Sequence, residues 1–130
     1  MWDFVGMSRT KESLERAIAE LEKVKKDFWS NVRVPGEVND LNIELEKAIR
    51  LADFIEVGIL MAYDALNREE SCGGHFREEF QTPEGEALRD DEVFNYVACW
   101  EYAGEDSAPK MIKEPLVYEF VKVETRDYKS

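Results

Sequence analysis

Between Leu41 and Leu66 apolar residues recur in an unbroken alternation of four and three: Leu41, Leu45, Ala48, Ala52, Ile55, Ile59, Ala62 and Leu66. That spacing returns to one face of an α-helix, whereas a strand repeats every two residues. It predicts a helix over residues 39–66, with Asn39 or Asp40 as its cap. From the middle of this segment a second stripe joins the first: Leu51, Phe54, Gly58, Met61 and Ala65. A helix that is apolar on two adjacent faces packs against two partners.

Residues 10–30 supply the first partner. Leu14, Ala17, Leu21, Val24 and Phe28 share one helical face, Ser8 and Thr10 are candidate caps, and Glu12 sits where a carboxylate favours the helix dipole. Pro35-Gly36 separates the two helices. The second partner is residues 1–6, the tail, or another polypeptide. The expectation is a mainly α fold, a three-helix spectrin-like bundle with shallow crossing angles. Its Leu, Met and Phe stripes form the core.

The pattern changes after residue 66. Residues 1–66 hold 9 basic and 13 acidic side chains, a net of −4; residues 67–130 hold 8 and 16, a net of −8. Adjacent glycines in Cys72-Gly73-Gly74 are expected to end the long helix. Residues 81–92 are polar, carry Pro83, Gly85 and Asp90-Asp91, and read as a loop. Residues 93–102 and 116–123 are β-branched, aromatic or alternating, and read as the strands of a short antiparallel hairpin. A two-stranded sheet is marginal alone, so it should lie on the helices or on a partner. The expected organisation is a helical bundle over 1–68, a hinge and loop over 69–92, and a β-hairpin tail over 93–130, in one domain of 130 residues.

The net charge of −12 repels phosphate backbones and anionic membrane surfaces, so neither nucleic acid nor direct membrane contact is expected. No run approaches the roughly 18 apolar residues of a membrane span. Two cysteines without a secretory leader fit a reducing compartment.

The densest polar cluster runs from Asn67 to Phe80: Asn67-Arg68-Glu69-Glu70-Ser71-Cys72-Gly73-Gly74-His75-Phe76-Arg77-Glu78-Glu79-Phe80. As a metal site it falls short, because a structural zinc site takes four ligands and the whole chain holds two Cys and one His. As a catalytic dyad, Cys72 with His75 lacks an orienting third group. Gly73-Gly74 lacks the Lys-Ser/Thr ending of a phosphate loop, and no G-x-G-x-x-G occurs. On the residues alone, a locally paired charged turn and an inter-domain contact are equally open. His75 reads as a hydrogen-bonded hinge residue.

The stretch Glu70-Ser71-Cys72-Gly73-Gly74-His75-Phe76-Arg77-Glu78-Glu79-Phe80 resembles the E-S-R-G-x-H-x-R-x-D/E-[YF] motif of succinate dehydrogenase and fumarate reductase flavoprotein subunits. There the motif follows a long helix of the C-terminal domain. Met1-Trp2, Val5-Gly6-Met7, Arg9 and Arg89-Asp90-Asp91-Glu92 resemble the same domain. Cys72 stands where the motif has arginine, and with Gly74 it looks like the variant of Bacteroides-like bacteria. L-Aspartate oxidases share the motif, but their tail usually lacks a long hairpin.

The resemblance implies a non-catalytic C-terminal domain, inactive by itself, of a flavoprotein that interconverts succinate and fumarate. FAD and the catalytic residues would belong to the parent subunit, with no catalytic, cofactor or metal residue here. The implied partners are the flavin-binding domain and an iron–sulfur subunit. The implied location is cytoplasmic, peripheral to the inner membrane through partners. Glu70, Ser71, Cys72, Gly73, Gly74, His75, Arg77 and Glu78 are then the candidate inter-domain contact. A free-standing helical interaction module is the competing reading.

Overall fold

A computed structural model describes residues 1–37, 39–105 and 107–124. The element order is β1 (Ser8–Arg9), α1 (Lys11–Asn31), α2 (Ile43–Asn67), β2 (Phe76–Arg77), β3 (Tyr96–Glu101) and β4 (Lys110–Pro115). The chain divides into two compact units, Met1–Leu88 and Arg89–Ser130.

In the first unit, α1 starts at a reciprocal cap. The Thr10 side chain accepts from Ser13 N–H, and Ser13 Oγ accepts from Thr10 N–H, both at 3.0 Å. A serine thus takes the place of the usual Glu or Gln in a capping box. Ser13 Oγ also lies 3.0 Å from the Phe4 carbonyl, which fixes the incoming chain against the helix. The cap of α2 is Asn42, not Asn39 or Asp40: its side-chain oxygen accepts from Leu45 N–H at 3.1 Å, and its amide donates to the Pro35 carbonyl at 3.0 Å. One side chain therefore both starts α2 and holds the connection that precedes it. Gly36 is required in that connection. Its φ is +110°, and a Cβ there would stand 2.6 Å from Asn42 Nδ2.

The core of this unit is Val5, Leu14, Ala17, Ala62 and Ala65, with Phe4, Ile18 and Leu66 packed around it. Alanines on both facing helices let the backbones come close. Leu14, fully buried, is the largest apolar side chain between them. Removing such a side chain from water contributes about 1.5–3 kcal/mol.

The expected three-helix bundle is not found. Among the described residues there are two helices, α1 and α2, beside two small sheets. The error lay in the second stripe of α2. Gly58 and Ala65 are buried, but Leu51, Phe54 and Met61 are exposed. The cover over Gly58 is a turn of residues 1–5, closed by Val5 N–H to the Met1 carbonyl at 2.8 Å. A Cβ at Gly58 would stand 3.3 Å from the Met1 sulfur. That cover is a single turn and not a third helix.

Nor do the glycines at 73–74 end α2. It stops at Asn67, and Gly73 shapes a separate turn. Past that turn β2 runs parallel to β1, with Ser8 opposite Phe76 and Arg9 opposite Arg77.

In the second unit β3 and β4 form an antiparallel pair from Tyr96 opposite Pro115 to Glu101 opposite Lys110. The second strand was expected at 116–123 and lies at Lys110–Pro115 instead. Alternation misled here. Val117, Tyr118 and Phe120 are exposed outside any ladder. The real β4 is joined to β3 by a six-residue ladder, with two cross-strand side-chain contacts beside it: Lys113 lies 4.4 Å from the Tyr96 ring, diagonal in the register, and Lys110 pairs with Glu101 at 3.3 Å. The last six positions of the expected tail, 125–130, lie outside the described residues. Among those described, no helix is long and apolar enough to cross a membrane.

Candidate functional site

The polar cluster assembles around the C-terminus of α2. A helix ends with carbonyls that have no intrahelical partner and with negative dipole charge, yet the last turn of α2 contains no basic residue. The missing cation comes from β2. Arg77 Nη1 donates to the carbonyls of Ala65 and Leu66 at 3.1 and 3.2 Å. Arg68 N–H donates to the Asp64 carbonyl at 3.1 Å, and the Asn67 amide donates to the Tyr63 carbonyl at 2.8 Å.

Arg77 is only 2% exposed. A guanidinium at that depth is tolerable because its Nε and Nη1 both meet acceptors. Its Nε donates to Glu79 Oε2 at 3.1 Å, and its plane lies over the Phe80 ring. Its main chain is held by Ser71, whose Oγ accepts from Arg77 N–H at 2.8 Å and lies 3.1 Å from the Arg77 carbonyl. Ser71 is itself completely buried, and its N–H donates to the Leu88 carbonyl at 2.8 Å. Glu70, also buried, accepts from Arg68 Nη1 at 2.7 Å.

Between Ser71 and Arg77 the chain reverses at Cys72-Gly73-Gly74-His75. Cys72 and His75 exchange both main-chain bonds, at 2.8 and 3.0 Å. Gly73 takes φ +59°, which a two-residue turn demands of its first central residue. Cys72, Gly73 and Gly74 are exposed at the tip, and a Cβ at either glycine would meet nothing within 4 Å.

His75 links the tip to the start of the chain. Arg9 Nη1 lies 2.8 Å from Nδ1, and His75 Nε2 lies 2.9 Å from the Arg68 carbonyl. A guanidinium can only donate and a carbonyl can only accept, so Nδ1 is the acceptor and Nε2 carries the proton. Burial holds His75 below the ordinary imidazole range, and the charges of Arg9, Arg77 and Arg68 push the same way. Its bond to the Arg68 carbonyl opposes them. The imidazole is therefore held neutral. Arg9 also donates to the Gly6 carbonyl at 2.6 Å, and burial lowers its pKa against the pull of Asp64.

Glu78 and Glu79 bind the strand before α1. Glu78 N–H donates to the Arg9 carbonyl, and its carboxylate accepts from Ser8. Glu79 accepts from Lys11 N–H at 2.6 Å. Partial burial works against the Glu79 charge, but the main-chain donors, Lys11 first, and Arg77 outweigh it and hold the carboxyl below its usual range.

Of the eight residues singled out from the sequence, Glu70, Ser71 and Arg77 are buried and turned inward. His75 is half-buried, and Cys72, Gly73, Gly74 and Glu78 face solvent. Arg9, Arg68 and Glu79 complete the network and were not among them. Nothing in local spacing points to Arg9, 66 positions from His75.

Among the described residues, no group of three or more Cys, His, Asp or Glu is placed to hold a metal ion. A cleft of about 430 Å³ lies elsewhere, at the far end of the helical pair, between Phe28, Val32, Val34, Pro35, Ala48 and Leu51.

Residues 1–128 match the family model described as fumarate reductase flavoprotein C-term. One of the subunits of the fumarate reductase (CoM/CoB) of Methanothermobacter marburgensis is 35% identical over 80 residues, which cover 62% of this chain and 14% of that protein. L-Aspartate oxidase 1 of Ralstonia nicotianae is 32% identical over 83 residues, again 62% and 14%. A structure of E. coli quinol fumarate reductase FrdA carrying a point mutation superposes with a TM-score of 0.78 at 25% identity. It covers 94% of this chain and 20% of that one. The chain thus spans a fifth or less of the length of these proteins.

Proposed function

This chain belongs to the fumarate reductase flavoprotein C-terminal family, and from that premise we propose that it works as a non-catalytic docking domain of a longer flavoprotein. In this reading the parent flavoprotein holds FAD in a separate flavin-binding domain and interconverts succinate and fumarate. This domain packs on that one and contributes contacts to an iron–sulfur subunit. Any attachment to the inner membrane, on its cytoplasmic side, runs through partner subunits. The exposed tip Cys72-Gly73-Gly74 is the part of the motif open to another domain, while Glu78, also exposed, is bonded to Ser8 and Arg9. Glu70, Ser71 and Arg77 hold that tip in place from below.

One observation carries the reading: the likeness to FrdA covers 94% of this chain but 20% of the other. The geometry supports it, because the reactive-looking side chains Arg9, His75 and Arg77 are engaged with one another or with helix ends. An L-aspartate oxidase parent is the second reading, favoured by the Ralstonia match. The FrdA likeness extends beyond residues 1–88 into the unit that bears the β3–β4 hairpin, which favours the fumarate reductase side.

Two measurements test this. The purified 130-residue chain is expected to bind no FAD and to turn over neither succinate nor fumarate. The longer flavoprotein that carries this sequence is expected to do both, and to leave L-aspartate unoxidised. Flavin bound stoichiometrically by the short chain overturns the docking role. L-Aspartate oxidation by the longer one moves it to the second reading.

A further inference from the structure

The turn Cys72-Gly73-Gly74-His75 bonds outward through one side chain. Cys72 and His75 bond to each other across the turn, and the space beside Gly73 and Gly74 is open. Among the described residues, the hydrogen bonds that leave the turn are both made by the His75 ring. One runs to Arg9 at 2.8 Å, 66 positions away, and the other to the Arg68 carbonyl at 2.9 Å. A planar ring aims both nitrogens at once, so the two bonds depend on one orientation.

The charges around the ring are of one sign. Burial and the charges of Arg9 on β1, Arg77 on β2 and Arg68 after α2 all act against a proton on it, and its bond to the Arg68 carbonyl alone favours one. The neighbouring acids are directed elsewhere. Asp64 on α2 attracts Arg9, Glu70 pairs with Arg68 at 2.7 Å, Glu79 pairs with Arg77 at 3.1 Å, and Glu78 accepts from Ser8. Among the described residues, no carboxylate bonds to the ring itself. A proton on Nδ1 turns the acceptor of Arg9 into a donor and sets two cations against each other. Arg9 is the better anchored of the two, because its Nε also donates to the Gly6 carbonyl at 2.6 Å. His75 is half-buried beside two exposed glycines, so the ring is the group that swings into water.

We propose that His75 is a proton-operated latch. Neutral, it clips the exposed turn to Arg9 and the segment before α1; protonated, it lets the turn go while α1 and α2 stay folded. The helices stay because the groups that close α2 do not use the ring. Ser71 and Arg77 are bonded through Ser71 Oγ and the Arg77 main chain, and Arg77 Nη1 reaches the Ala65 and Leu66 carbonyls from outside the turn. The latch is closed at neutral pH and opens in acid. It is a property of this chain alone and does not depend on the docking role proposed above.

The test is an NMR titration of the 130-residue chain, in which His75 is the single histidine and its ring signals stand alone. The pH is lowered from about 7.5 until the helices unfold. Backbone order parameters at Gly73 and Gly74 are expected to start at about 0.85 and to drop below about 0.6 as the ring takes up its proton. Ring and glycines should share one midpoint, and the values along α1 and α2 should hold through that step. In His75→Gln, which carries no charge at any pH, the glycine values are expected not to change over the same range. The wild-type titration decides by itself if that variant does not fold. Glycines already mobile at the starting pH overturn the latch, as do glycines that stay rigid while the ring titrates. A ring that remains neutral until the helices unfold overturns it, because the proton then never enters the folded chain. Loosening of the glycines that persists in His75→Gln assigns the event to another group and overturns it too.

Discussion

The guanidinium of Arg77 lies 3.1 Å from the main-chain oxygen of Ala65, so the C-terminus of α2 is closed by a residue twelve positions further along. Replacing Arg77 with Ala strips partners from the Ala65 and Leu66 carbonyls and leaves a void in a buried site. The expected loss is about 3 kcal/mol, read from the urea midpoint. Arg77→Lys keeps the charge but not the fork that reaches Glu79, and should recover only part of it. Wild-type stability in R77A would show that the end of α2 needs no cap from β2.

Ser71 and Cys72 are adjacent, and opposite outcomes are expected for them. Ser71→Ala leaves the Arg77 N–H and carbonyl without their shared partner in a dry site, at a cost of about 1–3 kcal/mol. Cys72→Arg, which puts there the arginine of the motif this stretch resembles, acts at an exposed tip and should stay within about 0.5 kcal/mol of wild type. Thermal melts of the two variants side by side decide the matter. A large loss from C72R would mean that the tip is packed.

The sign of the pH dependence at His75 follows from its neutral state. Unfolded, an imidazole takes up its proton near pH 6.5; folded, burial and three neighbouring arginines delay that to lower pH. Below about pH 6.5 the unfolded chain therefore binds more protons, and stability falls with pH. The stabilisation is complete above that value and is lost as pH drops through the folded pKa. Protonation also removes the acceptor for Arg9. His75→Gln, uncharged at every pH, should flatten the slope of the urea midpoint between about pH 7.5 and 5. An unchanged slope would place the titrating group elsewhere.

Two glycines should respond in opposite directions. Gly36→Ala forces a Cβ to 2.6 Å from Asn42 at φ +110° and should cost about 1–2 kcal/mol. At Gly58 the nearest atom is the end of the flexible Met1 side chain, at 3.3 Å. Alanine there should gain up to about 1 kcal/mol of helix propensity. Calorimetric midpoints distinguish them.

The sequence was most legible where the interactions are local. The stripes of residues 14–28 and 41–66 located both helices because apolar period is a property of neighbours three and four apart. Thr10 was legible as a cap for the same reason. Helix number was not, because one turn at Met1 covers Gly58 and because α2 keeps Phe54 and Met61 in water; period alone does not tell a covered stripe from an open one. The second strand was misplaced because Lys110–Pro115 carries Lys110, Lys113, Glu114 and Pro115 in place of alternating apolar residues, and the main-chain ladder that makes it a strand leaves no such pattern. Within the site, the 70–78 cluster stood out by its density, but Arg9 is tied to it only through folding.

The parallel pairing of β1 with β2 also orders events in time. Ser8 and Arg9 meet Phe76 and Arg77 only after the intervening chain has formed two helices and brought its ends together, and the entropy of closing so long a loop delays that contact. The cap on α2 is not delayed with it, because Arg77 reaches the Ala65 and Leu66 carbonyls across about a dozen residues and needs no strand partner. The docking of residues 8–9 is then the late step in folding. A slow final phase in refolding, altered by Glu78→Ala, which removes the acceptor of Ser8, but insensitive to substitutions at the Asn42 cap, is the kinetic trace this architecture should leave.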